Sequence, residues 1–129
     1  MNESTYAGTD ARTDGDGPTP KERCDLSKFQ LRVLAVLNAA ENEEENPNGQ
    51  AVRERLEAYY GTEVNDGRLY PNLDTLADQG LIERGEKTRR TNWYAITDDG
   101  RVVLTDETAW LVDRTPGLSV VPPKKGEDA

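Results

Sequence analysis

The chain has 129 residues, 34% of them hydrophobic and 32% charged, with a formal net charge of −9; this suits one domain of ordinary size with tails. There is no run of ~20 apolar residues to span a membrane and no apolar N-terminal core, so export by a signal peptide is not expected. With no histidine and a single cysteine, Cys24, imidazole catalysis, the usual zinc sites and an internal disulfide are excluded, and no cofactor is expected.

Residues 1–24, rich in Gly, Thr, Asp and Pro, read as a disordered acidic tail. A first helix starts at Ser27. Ser27-Lys28-Phe29-Gln30 fits a capping box, and Leu26 and Leu31 are placed for a hydrophobic staple. Leu26, Phe29, Val33, Leu34, Leu37 and Ala40 follow at helical spacing. The four carboxylates of Glu41–Glu45 break the pattern; without a framework to position ligands they read as a solvated loop rather than a metal site. Asn46-Pro47-Asn48-Gly49 then forms a turn. A second helix covers about Gly49 to Tyr60, with Val52, Leu56 and Tyr59 as its buried stripe and Gly61 as its stop. A third runs from about Asp66 to Gln79, capped by Asn65 or Asp66 and stopped by Gly80. Leu81–Arg84 and Trp93–Thr97 read as strands joined by a seven-residue polar loop, Glu86–Asn92. A last helix runs from about Asp98 to Arg114, where Pro116-Gly117 ends it. Three helices, a hairpin and a helix is the order of a winged helix-turn-helix. In that motif the second helix of the turn enters the major groove, and the hairpin is the wing.

The third helix carries the most information. At 100° per residue from Arg68, Leu69, Leu73, Leu76 and Ala77 share a core face. Asn72, Thr75 and Gln79 fall within about 40° of Arg68, on a second face that has no carboxylate. Asp74 and Asp78 lie on a third side. Arg can pair with guanine, and Asn and Gln with adenine, through two hydrogen bonds in the major groove; a plain solvent face of an acidic protein would be expected to carry acids. Tyr70 sits at the edge of the core face, where packing is the first expectation and a phosphate contact by its hydroxyl the second. Pro71 forfeits one backbone hydrogen bond and sets a local bend. The wing offers Arg84, Lys87, Arg89 and Arg90 against Glu86 alone, with Thr91 and Asn92 as neutral donors. Its natural partner is the phosphate backbone or the minor groove, and a soluble loop held by surface ion pairs is the bland alternative.

Gly67-Arg68-Leu69-Tyr70-Pro71-Asn72-Leu73-Asp74-Thr75-Leu76 and Gly80-Leu81-Ile82 resemble the third-helix signature of PadR-like winged-helix transcriptional regulators. Arg90 and Tyr94-Ala95-Ile96-Thr97-Asp98-Asp99-Gly100-Arg101 resemble that family's second wing strand and its entry to the next helix. The resemblance covers roughly Leu26 to Leu111. It implies a homodimer on a pseudo-palindromic operator in double-stranded DNA, with recognition helix and wing on the duplex and the terminal helix between subunits. Some such proteins bind planar aromatic effectors between the subunits; the single terminal helix here fits the smaller members.

The last helix carries Val102, Val103, Leu104, Ala109, Trp110, Leu111 and Val112, an apolar surface too wide for one contact. Val103, Leu104, Trp110 and Leu111 are the expected dimer seam, with Leu118–Val121 as an alternative cover for the spare side. Asp98 and Asp99 suit a helix start. Cys24, near only Lys21 and Arg23, reads as incidental rather than as a redox sensor.

The domain reading is therefore a tail over 1–24, a winged helix-turn-helix over 25–97, a dimerisation helix over 98–114 and a second tail over 115–129. The expected protein is mainly α with a small hairpin, and not an enzyme. It acts on DNA in the cytoplasm as a regulator, with a stress signal as one conceivable input. A winged-helix protein–protein module is the alternative. The charge balance bears on both. Acidic chains lack the basic footprint of most nucleic-acid binders, but 11 Arg and 5 Lys against 12 Asp and 13 Glu is the surface expected in a high-salt cytoplasm, where carboxylates hold water and cations. An acidic mesophilic protein is the other reading. Asp66, Asp74 and Glu86 would lie near the duplex, so inorganic cations bound at that interface are expected partners too.

Overall fold

The computed structural model describes residues 26–118. Cys24, both tails as far as Asp25 and from Ser119 onward, and most of the Leu118–Val121 run lie outside the described residues. The elements are α1 (Lys28–Ala39), a 3₁₀ turn (Ala40–Asn42), α2 (Gly49–Tyr60), α3 (Asp66–Asp78), β1 (Ile82–Thr88), β2 (Thr91–Ile96) and α4 (Asp98–Asp113).

Each helix starts on a side-chain cap that satisfies an otherwise orphaned N–H. Ser27 Oγ accepts from the Gln30 N–H while Gln30 Oε1 accepts from the Ser27 N–H, so the capping box is complete. Asn48, Asn65 and Thr97 cap α2, α3 and α4. Gly61 closes α2 at φ 72° and Gly80 follows α3 at φ 76°, both in the left-handed region, which costs glycine little because it has no Cβ.

The core is one cluster. Phe29, Val33, Leu34 and Leu37 of α1 meet Val52 and Leu56 of α2, Leu69, Leu73 and Leu76 of α3, Leu81, Ile82, Tyr94 and Ile96 of the hairpin and Val103 of α4. Burying apolar surface at roughly 25 cal/mol per Å² makes this cluster the main favourable term in folding. α4 is seated through Gly100, where a Cβ would run into the Leu81 carbonyl and the Ile96 side chain. Thr97 fixes the same corner, since its hydroxyl donates to the Gly80 carbonyl at 2.7 Å and its N–H to the Leu81 carbonyl at 3.1 Å.

The hairpin corrects the expected seven-residue loop. Strand pairing continues from Ile82↔Ile96 through Glu86↔Asn92 to Thr88↔Thr91, with an irregularity between Glu86 and Thr88, so only Arg89 and Arg90 make the turn. Polar residues far from the core keep the ladder because their backbone groups pair with each other. Gly85 opposes Trp93, whose ring lies where a Gly85 Cβ would be. The Asn46–Gly49 turn does more than reverse the chain. The Tyr94 N–H donates to the Pro47 carbonyl at 3.0 Å and Asn48 makes an isolated antiparallel bridge to Trp93, so the turn is tied to the outer edge of β2.

The acidic run is also more than a solvated loop. Its exposed carboxylates pair with cations of three other elements: Glu41 with Arg101 of α4, Glu43 with both terminal nitrogens of Arg55 of α2, and Glu45 with Lys87 of β1 at 3.0 Å. Such surface pairs contribute about 0–1 kcal/mol each. Among the described residues no group of three or more acidic or thiol side chains is arranged to hold a metal ion.

Candidate nucleic-acid interface

On α3 the exposed residues include Gly67, Arg68, Tyr70, Pro71, Asp74, Thr75 and Asp78. With Leu69, Leu73 and Leu76 in the core, the side opposite the core is centred on Pro71, between Gly67, Asp74 and Asp78. The acid-free residues occupy the flank beside it, and that flank meets α1. The Arg68 guanidinium lies over the Phe29 ring, 4.1 Å from its centroid, and 5.6 Å from that of Tyr60. The half-buried Asn72 accepts a hydrogen bond from Gln30 Nε2 at 2.9 Å and donates Nδ2 to the Arg68 carbonyl at 2.8 Å. Thr75 donates its hydroxyl back to the Pro71 carbonyl. Gln79, at the end of the helix, turns its side-chain oxygen into the protein without a partner. The lack of carboxylates here therefore has a reason within the protomer: an aromatic ring and an amide of α1 face this flank.

Tyr70 packs over the start of α2, where a Gly49 Cβ would overlap its ring and hydroxyl. Burial there, followed by the Asp66 charge, pushes the phenol above its ordinary pKa. Between the N-terminus of α2, α3 and the hairpin runs a polar groove lined by Asn48, Gln50, Tyr70, Arg84, Arg90 and Asn92. Asp74, which also lines it, and Asp66, whose charge acts on Tyr70, are both paired. Arg84 pairs with Asp74, and Arg53 pairs with Asp66 at 2.8 Å. Asp66 correspondingly raises the Arg53 pKa, first by the hydrogen bond and then by its charge.

The wing cations thus divide. Arg84 and Lys87 are held by Asp74 and Glu45. Among the described residues, Arg89 and Arg90 at the tip have neither a carboxylate nor an aromatic ring against them. Thr91 is half-buried beside them and Asn92 exposed. A patch that composition did not single out lies between α1 and α2, where Tyr59, expected in the buried stripe of α2, is exposed instead. Arg32 stands 5.0 Å from the centroid of Tyr59, and hydrogen bonding to Arg32 lowers the Tyr59 phenol's pKa.

The expected dimer seam also divides. Val103 is 1% exposed inside its own protomer, so it anchors α4 and presents nothing to a partner. Leu104 is shared between the core and a groove it lines with Asn38, Thr108, Ala109 and Val112. Trp110 and Leu111 are each 54% exposed and Val112 46%, with the Arg114 guanidinium 4.3 Å from the Trp110 ring centroid.

Three helices, a paired hairpin behind α3 and a basic hairpin tip define a winged helix-turn-helix protein. Residues 33–106 match the transcriptional regulator PadR-like family, and the chain belongs to it. It is 43% identical to hsRosR in the solved hsRosR–S1 complex, over 74% of this chain and 81% of that one, with a TM-score of 0.66; RosR is from H. salinarum. It is 28% identical over 96 residues to the transcriptional activator GvpE of Haloferax mediterranei, covering 74% of this chain but 45% of GvpE, so it spans under half the length of that relative. A PadR-like transcription factor from Bacteroides fragilis, 21% identical with a TM-score of 0.53 over 67% of this chain and 82% of that one, shares the fold.

Proposed function

We propose that this protein is a sequence-specific DNA-binding regulator of transcription, acting as a homodimer on a pseudo-palindromic operator in a high-salt cytoplasm. Family membership and the haloarchaeal relatives support the class. The observation that carries DNA as the partner is the distribution of cations. In a chain of net charge −9, the described cations elsewhere lie against carboxylates or aromatic groups, whereas Arg89 and Arg90 at the wing tip have no such partner among the described residues, and Arg90 lines the polar groove. Phosphate is the partner that free guanidinium groups next to a groove suit best.

In this reading α3 presents Gly67, Tyr70, Pro71 and Thr75 to the major groove, with Arg68 and Asn72 reading base edges from the flank. The wing tip contacts phosphate or the minor groove, and Arg84, Lys87, Thr91 and Asn92 join it. Gln79, turned inward, contributes least. Trp110, Leu111 and the outer side of Leu104 form the dimer seam. Inorganic cations sit between phosphate and the remaining acids, Glu86 foremost.

The double variant Arg89→Ala/Arg90→Ala tests the partner. Phosphate contacts carry no direct sequence information, so affinity for selected and random duplexes should fall by similar factors, roughly tenfold or more for two charge-assisted contacts. Unchanged affinity for both would remove the wing from the interface. Failure of the wild-type protein to bind any duplex would favour the protein–protein module.

A further inference from the structure

We infer that Gln30, on the first turn of α1, is a positioning residue that sets which way the Asn72 amide faces, and thereby which base the recognition helix prefers. This rests on the base-reading role proposed for Asn72. The two side chains are 42 residues apart in sequence and meet at 2.9 Å.

The argument is one of polarity. The Ser27 N–H can only donate, and it donates to Gln30 Oε1 at 2.9 Å. Gln30 must therefore turn its Nε2 end toward α3. That group can only donate, so Asn72 must answer with Oδ1. The Asn72 Nδ2 group then faces the Arg68 carbonyl, which can only accept, at 2.8 Å. The relay runs from backbone donor through two amides to backbone acceptor, and neither amide can reverse without setting like against like at both of its ends. A primary amide has two N–H donors and two acceptor lone pairs. The protein uses one of each on Asn72 and leaves one of each. That remainder is what a bidentate contact to adenine requires, one donor for N7 and one acceptor for the N6 amino group. Holding the side chain in place beforehand also removes rotamer freedom that binding would otherwise cost.

Gln30→Glu separates positioning from folding. A glutamate at this place keeps the capping box, because its carboxylate still accepts from the Ser27 N–H, but it has no proton to donate to Asn72. Two carboxylate and amide oxygens would then face each other, and Asn72 would swing or flip. Wild type, Gln30→Glu and Asn72→Ala are each used to select duplexes from a randomised pool, with thermal melting of each protein alongside. Asn72→Ala should lose preference at one base pair per half-site by about tenfold. Gln30→Glu should lose or change preference at that same position, keep it elsewhere, and melt near the wild type. Its added negative charge lowers affinity for every sequence alike, so the ratio between bases is the readout. Preference lost by Asn72→Ala but retained by Gln30→Glu would overturn the positioning role and leave the base-reading role standing. Preference retained by Asn72→Ala, or absent in the wild type, would overturn both.

Discussion

Helical spacing places Arg68 and Asn72, the side chains proposed to read DNA, on one flank of α3 free of carboxylates. What spacing could not supply is what that flank touches. Phe29 and Gln30 are some 40 residues away in the chain, and only the packing of α1 on α3 brings them to Arg68 and Asn72. The same holds for Asp74 and Asp66, bare charges in the sequence that the fold pairs with Arg84 and Arg53. Val103 shows the converse, a position on an apolar stripe that the protomer itself consumes. Glycine gives a residue-scale test. A helix interior ordinarily prefers alanine by about 1 kcal/mol, yet at Gly100 a Cβ meets the Leu81 backbone and Ile96. Gly100→Ala should therefore destabilise, by about 1–3 kcal/mol as overpacked sites do, visible as a lower melting temperature. A rise would mean that α4 sits farther from the hairpin than described.

α1 and α3 were the most legible elements because each combines a cap, a periodic apolar stripe and an end signal, three signals of separate physical origin that agree. The wing was legible only at its base. Ile82, Tyr94 and Ile96 alternate into the core, but beyond them β1 is exposed and carries no apolar period to announce a strand. Pairing there is fixed by backbone hydrogen bonds and by Trp93 lying across Gly85, neither of which leaves a pattern in one sequence. The single bridge at Asn48 is shorter still, and in sequence it looks like a turn. On α4 the sequence showed more apolar surface than one core could use, and the structure leaves Trp110, Leu111 and Val112 outside it. Because Trp110 is exposed in the protomer, Trp110→Glu should fold normally. In a homodimer it would put a carboxylate, with Arg114 four residues on as its one neighbour of opposite charge, into an otherwise apolar seam whose desolvation the pair does not offset, so sedimentation should report monomers, with weaker operator binding once the two half-sites are no longer linked. An intact dimer would place the interface on another surface.

For the whole molecule, the question is how so acidic a protein could hold a polyanion. Charge is not spread evenly. Glu41, Glu43 and Glu45 are tied to Arg101, Arg55 and Lys87, Asp74 and Asp66 of α3 are tied to arginines, and Arg89 and Arg90 at the wing tip have no carboxylate against them among the described residues. Net charge therefore overstates the local repulsion, and salt acts on what remains. A basic binder loses affinity steeply with salt, because its cations displace those condensed on DNA. Here few cations are available to displace them, and in the proposed complex a Debye length of about 3 Å at 1 M would screen Glu86 and its like from phosphate.

The central claim is that this surface reads DNA sequence under those conditions, and one titration tests it most directly. A duplex selected from a randomised pool and a shuffled duplex of the same composition are each bound across potassium chloride from low to molar concentration. The selected duplex should be held at least about 10³-fold more tightly than the shuffled one, with a shallow or even positive salt slope. Equal affinity for the two, or a steep loss of specific binding as salt approaches molar, would contradict the account.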